Sequence, residues 1–226
     1  MRIRTCYELH TGKLTKPVSF GVVSDLHDEP YEDLWPLLKD CDALLVPGDV
    51  VNRYTQTFDR GVGFLRDAAR RMPTFFSLGN HETKMQSFRT LMQALESTGA
   101  EILVNRYVPF GECWIGGWYD PEIVQKPDCM DEFEKLPGCR VLLCHKPEHY
   151  LKFLRSRDVD LAVAGHAHGG QVRIGSQGLY APGQHFFPKY TKGVVDGRLI
   201  ISAGAGNPCG MPRWGNPCEV LKITLD

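Results

Sequence analysis

Five segments of this chain close an apolar run with residues that ligate metals or move protons. SFGVVSDLH ends in Asp25 and His27, DALLVPGDV in Asp49, and PTFFSLGNHE in Asn80 and His81. CRVLLCHKPEH carries His145 directly after its apolar stretch, and DLAVAGHAH ends in His166 and His168. Only His10, His149 and His185 of the eight histidines fall outside these turns. Capping or solvation explains one His-x-His; it does not explain five strand ends finishing the same way. Carboxylate, imidazole and carboxamide together make a donor set for divalent cations. Two such ions, roughly 3.5–4 Å apart, need a bridging carboxylate. Asp49 suits that place, because Gly48 before it permits a tight turn off the strand. An amide oxygen such as that of Asn80 donates weakly and leaves a bound ion strongly Lewis-acidic. Water held there would lose a proton near neutral pH, as it does on a single protein-bound zinc, at a pKa of about 7.

Strands must present such a set. The five runs are rich in Val, Leu, Phe and Ala and alternate little, the pattern of strands covered on both faces. Helical stretches lie between the first three and after the third. YEDLWPLLKD reads as a short helix interrupted by Pro36, and TQTFDRGVGFLRDAARR as a longer one. KMQSFRTLMQALESTG sets Phe88, Leu91, Met92 and Leu95 on one face and stops near Gly99. AEILVN, YVPFGECWIGGW, GLYAP, TKGVVDGRLIIS and CEVLKITLD read as strands of a more antiparallel kind, and HFFPKY as core packing. The layout is an α/β sandwich with mixed sheets in the middle and helices outside. Ligands in open α/β folds gather beyond the carboxyl ends of strands, where the five turns lie.

The bulk properties narrow the classes. At 226 residues, 42% hydrophobic and 23% charged, the chain is expected to form one globular domain over residues 1–226. A net charge of -1 supplies no basic field, so no stable nucleic-acid partner is expected. No apolar h-region opens the chain, and no apolar run nears the roughly 18 residues of a spanning helix, so a cytoplasmic protein is expected. Eight cysteines without a Cys-x-x-Cys read mostly as buried thiols. Cys209 and Cys218 form the only close pair in a loop and are the one place for a bridge or a metal.

In order, the motifs are D-x-H, G-D, G-N-H-E, an apolar strand ending in H, and G-H-x-H. This series resembles the calcineurin-like metallophosphoesterase superfamily. GHAHGGQVRI, LYAPGQHFFPKYTKGVV, ISAGAGN and PRWGNPCEVLKITL resemble its YkuE/YaeI-like bacterial phosphoesterase branch. The likeness spans nearly the whole chain. It implies a four-layer α/β/β/α sandwich with two central mixed β-sheets flanked by helices. It also implies two divalent metal ions, of manganese, iron, zinc, cobalt or nickel. The first would take Asp25, His27, Asp49 and His168; the second Asp49, Asn80, His145 and His166, with Asp49 bridging. The two histidines of GHAH would thus serve different ions.

The resemblance further implies that His81 faces substrate, stabilising a phosphoryl oxygen or protonating the departing alkoxide. Asn52 stands where protein phosphatases of the superfamily keep an aspartate that pairs with this histidine, which argues against a phosphoprotein substrate. Arg53 and Arg213 are candidate substrate contacts with Asn52, and Trp214 a candidate cleft residue. Glu82 reads as a helix-start residue, and Gln171 as a brace for the ligand turn. The implied activity is a metal-dependent phosphoesterase in which a metal-bridging hydroxide attacks phosphorus. Its substrate would be a small-molecule or lipid-linked phosphodiester, or a monoester or pyrophosphate. The alternatives are a non-catalytic protein-interaction scaffold on the same fold and a single closed structural zinc site. Substrate choice is expected to rest on residues 105–130 and 175–215.

Overall fold

The apolar runs pair into two six-stranded sheets. The structure is a computed structural model and describes residues 1–55, 57–208 and 211–226. The first sheet has the order β1 (Ile3–Leu9), β16 (Glu219–Leu225), β2 (Val18–Val22), β3 (Ala43–Val46), β4 (Thr74–Phe76), β5 (Glu101–Ile102). The second has the order β14 (Gly193–Val195), β15 (Leu199–Ile201), β9 (Leu161–Ala164), β8 (Cys139–Leu143), β7 (Cys113–Gly117), β6 (Arg106–Phe110). Two small hairpins come after β9: β10 (Arg173–Ile174) with β11 (Gln177–Gly178), and β12 (Tyr180–Ala181) with β13 (His185–Phe186).

The central strands of each sheet are apolar on both faces, and period-two alternation sends neighbours into different cores. Ala43 and Leu45 of β3 join Phe20, Val22 and Leu221 between the sheets, where they meet Ile115, Val141, Leu143, Leu161 and Val163. Leu44 and Val46 point the other way, against Phe64 and Leu65 of the helix Asp59–Ala69 and Leu91 and Leu95 of the helix Phe88–Glu96. Leu142, Ala162 and Ala164 face outward on the second sheet, under Met130, Phe133, Tyr150 and Leu154. The layers therefore run helix, sheet, sheet, helix.

The later segments are antiparallel within their hairpins, β6 with β7, β12 with β13 and β14 with β15, and β16 is antiparallel to β2. The sheets they join are mixed: β5 runs parallel to β4, β7 to β8, β15 to β9 and β16 to β1. Two expectations change. Pro36 stands at the start of the helix Trp35–Leu38 instead of interrupting it, where a missing N–H costs nothing. Phe186 and Phe187 are 75% and 71% exposed, not core residues, because the β12–β13 hairpin carries them outward. The polar opening segment forms β1, which has one neighbour, β16, at the sheet edge. Among the described cysteines Cys113, Cys139 and Cys144 are buried, while Cys6, Cys41, Cys129 and Cys218 are not; the Cys209–Cys218 pairing involves a residue outside the described ones. No helix among the described residues is long and apolar enough to cross a membrane.

Candidate metal centre

Parallel pairing points the carboxyl ends of β2, β3 and β4 in one direction within the first sheet, and those of β8 and β9 in one direction within the second. Asp25, Asp49, Asn80, His145 and His166 lie two to four residues past those ends and are all buried. The turns lock to one another: the Asp25 N–H donates to the Gly48 carbonyl at 3.1 Å, His27 N–H to Asp49 O at 3.1 Å, and Gly165 N–H to His145 O at 2.9 Å.

The local backbone is unusual. Asp25, His27, Asp49, His166 and His168 adopt positive φ of 53°, 54°, 57°, 67° and 47°. Non-glycine residues in this region cost on the order of 1–3 kcal/mol each and persist where surrounding structure over-determines them, commonly at functional sites. Two glycines explain the G-N and G-H signatures by space. A Cβ on Gly79 would stand 2.1 Å from Asp49 Oδ1, and one on Gly165 2.3 Å from Asp25 Oδ2. Both carboxylates occupy the room a side chain would fill.

The side chains converge in three overlapping groups, Asp25, His27 and His168, then Asp49, His145 and His166, and between them His27, Asp49 and His81, each with ligand atoms within 4.8 Å of one another. His27 Nε2 faces His168 Nε2 at 3.3 Å, and the two lie 4.0 and 3.7 Å from Asp25 Oδ1. Asp25 accepts the His166 N–H on both oxygens, at 3.0 and 3.1 Å. Asp49 accepts the His81 N–H on Oδ1 at 2.7 Å and presents Oδ2 to His145 Nε2 at 3.1 Å. The Asn80 amide oxygen is buried with no hydrogen-bond partner. An orphaned carboxamide oxygen beside converging imidazoles and carboxylates is what a cation-binding donor set requires, so these residues fit divalent metal.

Electrostatics agree. Burial pushes His27 down to about 3 and also lowers His166 and His168, which keeps their rings neutral and their lone pairs free. At His145 burial works in the same direction, but the adjacent Asp49 carboxylate outweighs it and raises the ring to about 9. For Asp49 the sign reverses: burial would raise it, and His145 and the other histidines hold it well below the usual carboxylate range.

His81 stands at the edge of this group, 9% exposed, its ring 4.4 Å from that of His27. The Arg53 backbone N–H donates to His81 Nδ1 at 3.2 Å. Nδ1 is therefore the acceptor and Nε2 carries the hydrogen in the neutral ring. Asn52 does not orient His81 in the way its place in the motif implied: its Oδ1 accepts the Tyr54 N–H at 3.1 Å, which turns the loop so that Arg53 N–H meets the imidazole. The Arg53 guanidinium lies over the Tyr54 ring, 4.7 Å from its centroid.

Arg213 is a brace. Its fork donates to the carbonyls of His168 at 3.0 Å and Gly206 at 2.9 Å, and further to Gly204 and Ala203, while its Nε is buried. Both terminal nitrogens are taken by backbone and Nε, the one donor without a partner, is buried, so the fork is not turned toward a phosphate. Asn216, which sequence reasoning passed over, adds Nδ2 donations to His168 O at 2.7 Å and Gln171 O at 3.0 Å. Gln171 braces as expected, through Asn207 Oδ1 and the Met211 carbonyl.

Glu82 does more than start a helix. Fully buried, it accepts the N–H groups of Gly79 at 2.7 Å and Asp49 at 2.9 Å on one oxygen and that of Val51 at 3.2 Å on the other. It thereby ties the loop after β4 to the loop after β3. The sequence signal was its place three residues after Gly79, the capping-box spacing.

A cavity of about 300 Å³ opens beside His81 and His168, bounded by Tyr54, Gln171, Tyr180, Pro182, Pro208 and Met211. Its walls come from the loop after β3 and from the 175–215 region; residues 105–130 contribute nothing to it.

Comparison with known proteins places this geometry. A family described as calcineurin-like phosphoesterase matches residues 18–170. An "Uncharacterized metallophosphoesterase" of Helicobacter pylori is 26% identical over 94% of this chain and 59% of its own length. Bacillus subtilis YpbG is 28% identical over 96% of the chain and 86% of its own length. Escherichia coli "Phosphodiesterase YaeI" is 27% identical over 81% and 70%. The chain thus spans little more than half of the Helicobacter pylori relative.

Proposed function

The chain belongs to the calcineurin-like phosphoesterase family, and from that premise we propose that it is a dinuclear metal-dependent hydrolase of small phosphodiesters. The carrying observation is the pair of adjoining buried groups, Asp25–His27–His168 and Asp49–His145–His166, with the unpartnered Asn80 oxygen beside them. We assign the first ion to Asp25, His27, Asp49 and His168, and the second to Asp49, Asn80, His145 and His166. We read residues 1–226 as one domain, since β1 and β16 from the two ends of the chain pair along their lengths.

Two divalent ions would supply Lewis acidity for the non-bridging phosphoryl oxygens and a hydroxide nucleophile at neutral pH. The protein's own residues do the rest. Asp49 carries negative charge to both halves of the site. The Pro47 carbonyl accepts from His145 Nδ1 at 2.7 Å, which turns Nε2 inward. His81 offers Nε2–H to a phosphoryl or leaving oxygen, its ring held by the Arg53 N–H. Arg53, stacked on the cavity-wall residue Tyr54, is the candidate cation for an anionic substrate.

One observation favours a diester over a phosphoprotein. The partner of His81 is a neutral amide N–H, which does not stabilise imidazolium as a carboxylate would. The Escherichia coli relative bears the name phosphodiesterase. A scaffold on this fold is expected to have lost ligand residues, and this chain keeps the whole set.

The test is metal content by elemental mass spectrometry on chelator-free protein, with hydrolysis of bis-p-nitrophenyl phosphate and p-nitrophenyl phosphate in manganese. Near two ions per chain with diester cleavage sustains the reading. One inert ion or none, and no hydrolysis with any divalent metal, sinks it in favour of the scaffold.

A further inference from the structure

We propose that the cavity beside His81 and His168 is a subsite for a flat apolar ester group of the substrate, and that Tyr54, Tyr180 and Met211 set this preference. The inference rests on the phosphoesterase reading above and names the substrate class for that site.

Size is the first ground. A cavity of about 150 Å³ accepts benzene, so the roughly 300 Å³ here has room for a substituted aryl ring. Lining chemistry is the second. Beyond the two histidines and the tyrosine hydroxyls, the only polar side chain among the described lining residues is Gln171. Its Nε2 is already committed to Asn207 Oδ1 at 2.9 Å and the Met211 carbonyl at 2.8 Å. No acidic side chain, lysine or arginine among the described residues lines the space, so a charged or polyhydroxylated group would lose more hydrogen bonds to water there than the few lining polar atoms return.

The third ground is that the walls are exposed yet fixed. Tyr54, Tyr180 and Met211 are 72%, 41% and 52% exposed. Tyr54 is held through its N–H on Asn52 Oδ1 and by the Arg53 guanidinium over its ring. Tyr180 lies in β12 with its ring 5.6 Å from that of Phe186, and Met211 is anchored through its carbonyl by Gln171 and Asn207. Apolar surface kept in water directly against the candidate reaction centre is surface an incoming ester group would cover.

The experiment compares phenylphosphonate with methylphosphonate by calorimetry on the manganese-loaded protein, and repeats it for Met211→Gln and Tyr180→Ser. Both probes carry the same anionic head and differ only in the group offered to the cavity. Phenylphosphonate is expected to bind roughly tenfold more tightly. Each substitution is expected to bring that ratio toward one while metal content stays at the wild-type level. Met211→Gln, on an exposed side chain, carries the test if the Tyr180 variant does not fold. Equal affinities in the wild type, with diester hydrolysis intact, overturn the subsite and leave the phosphoesterase reading standing. No binding of either probe, with no hydrolysis under any divalent metal, overturns both.

Discussion

His145 presents Nε2 to Asp49 Oδ2 at 3.1 Å while Nδ1 of the same ring meets the Pro47 carbonyl at 2.7 Å. A carbonyl accepts only, so Nδ1 must donate, and Nε2 points its lone pair at a carboxylate unless a proton or a cation stands between them. This arrangement assigns both partners to one positive charge, and that charge follows Asp49.

Asp49→Asn keeps the shape of this contact and removes its charge. The variant is expected to lose most bound metal and to cleave diesters at least about a hundredfold more slowly, the upper end of losses seen when a ligand's supporting partner is removed. Stripping metal from the wild type with a chelator should lower its melting temperature, as loss of any native-state ligand does, and the variant should show little of that response. Near-normal turnover with full metal content would end the bridging assignment.

For His81→Ala the expectation is different. Metal content should stay at the wild-type value, because no assigned ligand is removed. The rate should drop by about 10²–10⁴, the range for a group acting on a proton or oxygen in the transition state, and most on substrates with poor leaving groups. Loss of metal would move His81 into the ligand set.

Glu82→Gln probes the tie between two ligand loops. One carboxylate takes three backbone N–H groups, and an amide cannot accept all three with both atoms, so its NH₂ must face a donor. A cost of about 1–3 kcal/mol is expected, read as a fall in melting temperature of about 2–4 °C per kcal/mol for a chain of this size. Metal content should fall with it. Unchanged melting would show that Glu82 only begins a helix.

Arg213→Ala separates a brace from a substrate contact. Carbonyls of Ala203, Gly204, Gly206 and His168 each lose a donor, those of Gly204 and His168 keeping others, and stability should fall by about 2 kcal/mol. Any kinetic effect should appear in kcat and metal content through a displaced His168. A raised KM at constant kcat, the mark of lost uniform binding, would instead make Arg213 a substrate residue.

Much of this protein is legible in its sequence for a local reason. Unbroken apolar runs mark strands covered on both sides, and such strands deliver the residues just past their ends to one edge of an α/β sheet. Asp25, His27, Asp49, Asn80, His145, His166 and His168 could therefore be named together from the sequence alone. The small residues beside them belong to the same local logic, since Gly79 and Gly165 stand where a Cβ would strike a carboxylate.

Strand direction is not local. The segments after residue 100 look alike whether they pair parallel or antiparallel, and only long-range register put β7, β8, β9 and β15 in parallel. Side-chain direction is the other unknown. Arg213 and Arg53 are equally good phosphate donors by type, yet one fork is filled by backbone carbonyls and the other lies over the Tyr54 ring and donates to its hydroxyl. Glu82 was visible as a helix-start residue, while its grip on the Asp49 loop, a span of 33 residues, needed both loops in place. Backbone donors and acceptors have no sequence code of their own, so which side chains they consume is decided only when distant turns meet.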